Sequence, residues 1–261
     1  MTEIFKQSEA CCKNPPITSN KYEPKGEFII HNNTKMYISG PRTSTHALLI
    51  LYDIFGYYPQ TLRGADILAS SAYLTIMPDF FDGHPAEYSW YPPSSPEKEE
   101  NLNTFLAGPA DTQKTLTRLW SLKASLELLF PSISSWALLG YCWGGYVAFH
   151  ATSRSDKPFA TCVHLHPGFP SAEVAAKISV PMLVLNSRDE IDEEERLPFE
   201  EALGREVGNG KDIKEKSQIL TFEEMEHGWM SARANLEDHS VRQGYERGYE
   251  IVKEWLREHF T

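Results

Sequence analysis

Basic residues are scarce in this chain: 25 Lys and Arg stand against 36 Asp and Glu, a formal net charge of −11. Phosphate backbones are held by basic surfaces, so no nucleic-acid partner is expected. Long apolar runs are missing as well. No stretch approaches the roughly 18 apolar residues that a membrane-spanning helix needs, so no membrane partner is expected either. Cysteine is rare. The four cysteines, at 11, 12, 142 and 162, have neither metal-ligand spacing nor the framework of a disulfide-stapled secreted domain. Met1 to Cys12 is polar, with Glu3 and Glu9 and no apolar centre, which fits neither a signal peptide nor a transit peptide. A cytoplasmic location with free thiols is the expectation. Linkers and low-complexity tracts are absent too, so residues 1–261 read as one domain, with 1–25 as an extended N-terminal tail.

What the chain does contain is alternation. Gly26 to His31 and Lys35 to Ser39 read as a hairpin turned at Asn32-Asn33. His46 to Asp53 and Tyr73 to Met77 are continuous apolar runs, the mark of strands covered on both faces. Further strands are expected at Trp136 to Leu139, Ala160 to Leu165, Val180 to Asn186 and Ser217 to Phe222. Helices are expected at Gln60 to Ser70, Glu97 to Ala107, Asp111 to Phe130, Gly144 to Ser153, Ser171 to Ala176, Glu194 to Val207 and Val241 to His259. A loop rich in proline and aromatics fills Pro78 to Pro96. This pattern predicts an α/β class protein with a mostly parallel central sheet of about eight strands and helices on both faces. Reactive groups in such sheets gather at the carboxyl ends of the strands. Asp53, Asp79, Cys142, His166 and Asp189 all fall at or just past those ends.

The sharpest local signal is Gly140-Tyr141-Cys142-Trp143-Gly144-Gly145, an apolar strand running through a glycine-flanked cysteine into a helix. This is the sequence of a nucleophile elbow. The nucleophile in such a turn holds a strained backbone, and side chains two positions either side would strike neighbouring elements. A thiol is only slightly ionised at neutral pH, so it needs a base and a group that orients the base. His227 follows the last strand and has Gly228 beside it; Asp189 follows the strand at Val180 to Asn186. The order nucleophile, acid, histidine is that of α/β-hydrolases. Glu190 and Asp192 compete with Asp189, which is preferred as the first acid after the chain leaves the sheet at Ser187. The backbone amides of Ile54 and Trp143 are the expected oxyanion donors.

These motifs resemble the dienelactone hydrolase family, in its fungal-type members, over nearly the whole chain. The resemblance is carried by the elbow and by Cys11-Cys12 before Pro24-Lys25-Gly26, Tyr37 to Pro41, Asp53 to Gly56, Pro78 to Phe81, His166-Pro167-Gly168 and His227-Gly228-Trp229. It implies an α/β-hydrolase fold and a Cys142, Asp189, His227 triad with neither metal nor cofactor. It also implies cleavage of a small-molecule ester or lactone through a thioester acyl-enzyme, by a monomer or homodimer. Asp53 stands where the founding enzymes hold a glutamate. Their first carboxylate-binding arginine is replaced here by Asp82-Gly83, and Arg233 is the nearest candidate for the second.

Without that fork of arginines, a small anionic lactone is disfavoured. Aromatic residues are plentiful instead: Tyr57, Tyr58, Phe80, Phe81, Tyr88, Trp90, Tyr91, Trp143 and Trp229 lie in segments expected near the mouth. An aromatic or polyketide-like lactone or ester fits them, with Asp53, Phe55, Phe81, Trp229 and Arg233 as candidate substrate-binding residues. A non-hydrolytic accessory enzyme, cyclase or isomerase, or a small-molecule-binding protein, remains the alternative on the same fold. His164 and His166 share one strand face but lack a third metal ligand nearby in sequence.

Overall fold

A computed structural model describes residues 5, 10, 14–18, 21–190, 193–203 and 210–260. Its centre is a sheet of eight strands: β1 (Glu27–His31), β2 (Thr34–Ser39), β3 (His46–Leu51), β4 (Leu74–Pro78), β5 (Ser135–Tyr141), β6 (Cys162–Leu165), β7 (Met182–Ser187) and β8 (Gln218–Phe222). They lie in the order β1-β2-β4-β3-β5-β6-β7-β8. The hairpin β1–β2 and its join to β4 are antiparallel, and every other pair is parallel. Asn32 and Asn33 both have positive φ, 48° and 60°, as a two-residue hairpin turn requires.

The helices are α1 (Pro59–Ala69), α2 (Pro96–Ala107), α3 (Thr112–Leu129), α4 (Trp143–Thr152), α5 (Ala172–Ala175), α6 (Glu193–Leu203), α7 (Gly210–Glu215) and α8 (His239–His259). Alternation along β5 shows how they divide between the two faces. Gly140 faces α4, because a Cβ there would lie 2.2 Å from the Gly144 carbonyl oxygen. The next side chain, Tyr141, turns the opposite way and shares a 2.7 Å hydrogen bond with Tyr249 of α8. Tyr249 in turn fills the space left by Gly64 of α1.

Most expected boundaries agree with the observed elements within a few residues. Two elements had no sequence expectation: the short helix α7 and a single 3₁₀ turn at Tyr88–Trp90 inside the aromatic loop. The last four residues expected in the helix at Glu194 to Val207 lie outside the described residues, as do Cys11, Cys12 and Asp192. The described part of the N-terminal tail lies against the body. Phe5 is buried, the Ile17 amide donates to the Ala232 carbonyl, and Tyr22 donates to Asp66.

His164 on β6 is fully buried, stacked 3.7 Å from Phe149 and within 3.1 Å of the Gly145 carbonyl. Burial pulls its pKa down to about 3. The folded chain therefore holds it neutral, while the unfolded chain protonates it below about pH 6.5. Between those values the unfolded state binds the extra proton, so stability falls as pH falls. Urea unfolding should show His164 alone contributing about 2 kcal/mol of destabilisation on going from pH 7 to pH 5. The His164→Gln variant should show a correspondingly shallower pH dependence; an unchanged slope would contradict a neutral buried imidazole.

Candidate active site

The elbow forms where β5 meets α4. Cys142 has φ 51° and ψ −114°, a conformation that a side-chain-bearing residue adopts only when its surroundings force it. Its amide is held by Leu165 of β6, and its carbonyl receives Tyr146 and Gly168. Close approach on three sides explains the glycines. A Cβ on Gly144 would lie 2.3 Å from the Leu51 carbonyl oxygen, and one on Gly145 would lie 2.7 Å from Pro167. Cys142 is fully buried in this turn.

The imidazole of His227 reaches the thiol, with Nε2 3.1 Å from Sγ. His227 sits in the loop after β8, and several ties fix that loop. Its amide donates to Asp189 Oδ1 at 2.9 Å, and Gly228 turns the chain with φ 88°. Further along, Ser231 and the Ala232 amide both donate to Asp53 Oδ2. Asp53 Oδ1 takes the Phe55 amide. Asp53 is thus occupied by backbone and hydroxyl donors, and it fastens the loop after β3 to the histidine loop.

The acid beside the imidazole is Glu190, not the expected Asp189. His227 Nδ1 lies 3.2 Å from Glu190 Oε1, with both side chains almost wholly buried. The ring N–H is not aimed straight at the oxygen, a looseness common before substrate binds. Glu190 is itself positioned by Ser187, whose amide donates to Oε2 at 2.9 Å and whose one hydroxyl proton is shared between Oε1 and Asp189 Oδ1, each 2.7 Å away. Burial raises the Glu190 pKa, and the bonds to His227 and Ser187 partly offset that rise. Asp189 points away from the ring and binds the Ser187 hydroxyl and the His227 amide. The physical reason is the turn after β7, which sends these neighbouring side chains in different directions. The Ser-x-x-Glu spacing of Ser187 and Glu190, a pattern in which the glutamate folds back onto the serine amide, is the sequence signal for Glu190.

Trp143 opens α4, and its amide has no acceptor within the helix. Ile54 lies in the turn after β3, its carbonyl bonded to the Ala86 amide. Among the described residues neither amide, at Ile54 or Trp143, donates to a protein acceptor.

The expected aromatic residues separate into two groups. Phe55, Tyr58, Tyr88, Trp90 and Phe105 line a cleft of about 630 Å³. Arg233 lies at the inner side of this region, its guanidinium 5.0 Å from the Phe55 ring and 5.4 Å from the Tyr91 ring. Phe81 and Trp229, by contrast, are core residues. Phe81 is wedged between Trp143 and Phe105, behind the cleft wall. Trp229 lies on Phe222, against Gly248 of α8, where the missing side chain makes room for its ring. Trp143 also faces inward, with its indole N–H on the Ala110 carbonyl. A larger groove of about 820 Å³ lies between the β1–β2 turn and α3, with Asn32, Lys114 and Arg118 in its walls; Cys142, His227 and Glu190 line neither this groove nor the aromatic cleft, whose Phe55 adjoins Ile54.

Two histidines flank the site in different ways. His164 is absorbed in the core, so the pair with His166 does not form. His166 instead sits beside His227, ring centroids 5.2 Å apart.

A sequence model of the dienelactone hydrolase family matches residues 34–260. An AIM2 family protein of Schizosaccharomyces pombe is 29% identical over 252 residues, 95% of this chain and 98% of that protein. A carboxymethylenebutenolidase homolog of Xenopus tropicalis is 32% identical over 148 residues, 55% of this chain and 56% of that protein. Among solved structures, a dienelactone hydrolase-like promiscuous phosphotriesterase from metagenomic libraries superposes with a TM-score of 0.63. It has 16% identity and covers 87% of this chain and 93% of its own. With the elbow, the sheet order and a family match that spans most of its length, the chain belongs to the dienelactone hydrolase family, carboxylic ester hydrolases of the α/β-hydrolase fold.

Proposed function

We propose that the protein hydrolyses an ester or lactone through a thioester on Cys142, with His227 as base and Glu190 as the acid that orients it. The observation that carries this reading is the 3.1 Å approach of His227 Nε2 to the Cys142 sulfur at a strained elbow. A lone pair on Nε2 accepts the thiol proton, and Glu190 at Nδ1 favours the tautomer that leaves this lone pair free. The thiolate attacks the acyl carbon, forming a C–S bond while the carbonyl π electrons move to oxygen. The Ile54 and Trp143 amides receive that oxyanion; each such donor is worth about 3 kcal/mol in the transition state. Collapse expels the alcohol, which takes the proton from His227. His227 then takes a proton from water, the hydroxide adds to the thioester carbon, the C–S bond breaks to release the carboxylic acid, and His227 returns its proton to the Cys142 sulfur.

Asp189 has a different part in this scheme. By accepting the His227 amide and the Ser187 hydroxyl it positions both the base and the acid.

The cleft favours a flat, apolar substrate, because Phe55, Tyr58, Tyr88, Trp90 and Phe105 offer ring surface. An aromatic or polyketide-like ester or lactone suits it better than a small dicarboxylate. Arg233, over the rings of Phe55 and Tyr91, places a buried cation behind the Phe55 wall of this cleft. A working thiol needs a reducing compartment, and the cytoplasm supplies one. Among the described residues no helix is long and apolar enough to cross a membrane.

Intact mass spectrometry of the protein quenched during turnover of aryl esters should show an acyl adduct, mapped by digestion to Cys142, and Cys142→Ala should lose hydrolysis. Turnover without any adduct on that peptide would contradict covalent catalysis. No turnover of aryl esters, thioesters and lactones in the wild type would favour the binding or non-hydrolytic alternative.

Substitution separates the two acids. Glu190→Gln should lower kcat by about 100-fold or more, within the range for general acid–base elements. Asp189→Asn keeps an oxygen for the His227 amide and should stay within about tenfold of wild type. The reverse order in steady-state kinetics would return the orienting role to Asp189.

A further inference from the structure

The mechanism above leaves one buried polar side chain beside the site without a task. His166 follows β6 with φ 38°, its amide tied to the Leu185 carbonyl at 2.7 Å, and its side chain is fully buried. Among the described residues neither Nδ1 nor Nε2 has a hydrogen-bond partner. A buried polar group left in that state costs about 1–3 kcal/mol, and a phenyl ring would pack the same space without that cost. An imidazole with no partner offers a nitrogen lone pair to a ligand.

That lone pair has company. One ligand atom each from His166, Glu190 and His227 lie within 4.8 Å of one another, and all three residues are buried. A triangle of that edge places its centre about 2.8 Å from each corner, so movements of about 0.7 Å would bring the three atoms to zinc-ligand distances of about 2.0–2.2 Å. Two imidazoles and a carboxylate suit a zinc-class cation, whereas Mg²⁺ and Ca²⁺ prefer all-oxygen sites. We propose that His166, Glu190 and His227 form a binding site for a zinc-class divalent cation, and that its occupancy switches the thiol chemistry off.

The geometry explains why occupancy silences the enzyme. The His227 nitrogen on the Glu190 side is Nδ1. A cation bound there takes the Nδ1 lone pair, and the single proton of the neutral ring moves to Nε2, the atom facing Cys142. No lone pair is then left to accept the thiol proton. Glu190 is drawn to the metal at the same time and no longer orients the base. The binding claim stands on the three side chains alone; the inhibition claim rests on the hydrolase reading.

The test uses the full chain, stripped with EDTA, dialysed and titrated calorimetrically with Zn²⁺ and with Mg²⁺. The Cys142→Ala background removes the nearby thiol as a competing ligand. One Zn²⁺ per chain is expected in that background and no Mg²⁺ binding. Affinity should fall about 100-fold in His166→Gln and in Glu190→Gln, with folding checked by circular dichroism. Two variants are used so that a folding defect in one does not decide the outcome. Absence of Zn²⁺ uptake, or an affinity in both variants unchanged from that of the Cys142→Ala parent, would overturn the site.

Aryl ester turnover gives the second readout. Wild type should be inhibited by stoichiometric Zn²⁺ and recover with EDTA, and His166→Gln should need about 100-fold more metal for the same inhibition. Full-rate hydrolysis with Zn²⁺ bound would overturn the switch. If Zn²⁺ binding depends on His166 but no ester is ever cleaved, the site stands and the hydrolase reading falls.

Discussion

The left-handed backbone at Cys142 is the constraint from which the rest of the site follows. With φ at 51°, the chain reverses from β5 into α4 within one residue, and the sulfur is carried to the carboxyl edge of the sheet. The turn can be this tight only because its neighbours give way. Gly140 and Gly144 touch each other's backbone, Gly144 lies on the carbonyls of Leu51 and Tyr52, and Gly145 meets Pro167. Packing against β3 and against the segment after β6 thus holds a conformation that an isolated peptide would abandon.

The base arrives by a different route, on a loop that has no regular structure to hold it. Its position is instead fixed by carboxylates that bind backbone. Asp189 takes the His227 amide, and Asp53 takes Ser231 and Ala232, while Glu190 is folded onto Ser187 at the end of β7. Three acids in a small volume would repel one another if all faced one space. They are tolerated because amide and hydroxyl donors meet both oxygens of Asp53 and of Glu190 and one of Asp189, which offsets the desolvation that burial imposes. The same economy leaves His166 conspicuous, since among the described residues both of its nitrogens go unmet.

Much of this was legible in the residue order. The strands β3 and β5 are continuous apolar runs because both faces are covered, and the elbow is marked by glycines whose spacing has no other purpose there. The hairpin at Asn32-Asn33 announces itself by residues that tolerate positive φ. What could not be read was the choice between adjacent acids. Asp189 and Glu190 differ by one position, and which of them meets the ring depends on the dihedral angles of a turn that periodicity does not constrain. Composition also misleads about aromatics. Phe81 and Trp229 look like cleft residues by their place in the chain, yet Phe81 packs on the Trp143 ring and Trp229 fills the space left by Gly248, and only the tertiary contacts reveal it. The meeting of His166 with His227 brings together two strand ends far apart in sequence and has no local signature at all.

The account depends most directly on coupling between the Cys142 thiol and the His227 imidazole. Titration of the ultraviolet thiolate absorbance, as the difference between wild type and Cys142→Ala, measures that coupling without any substrate. The midpoint should lie below the free-cysteine value of about 8.5 in wild type and rise above it in His227→Ala, where only burial remains. Identical midpoints in the two proteins would mean that the imidazole does not act on the sulfur, whatever the distance between them.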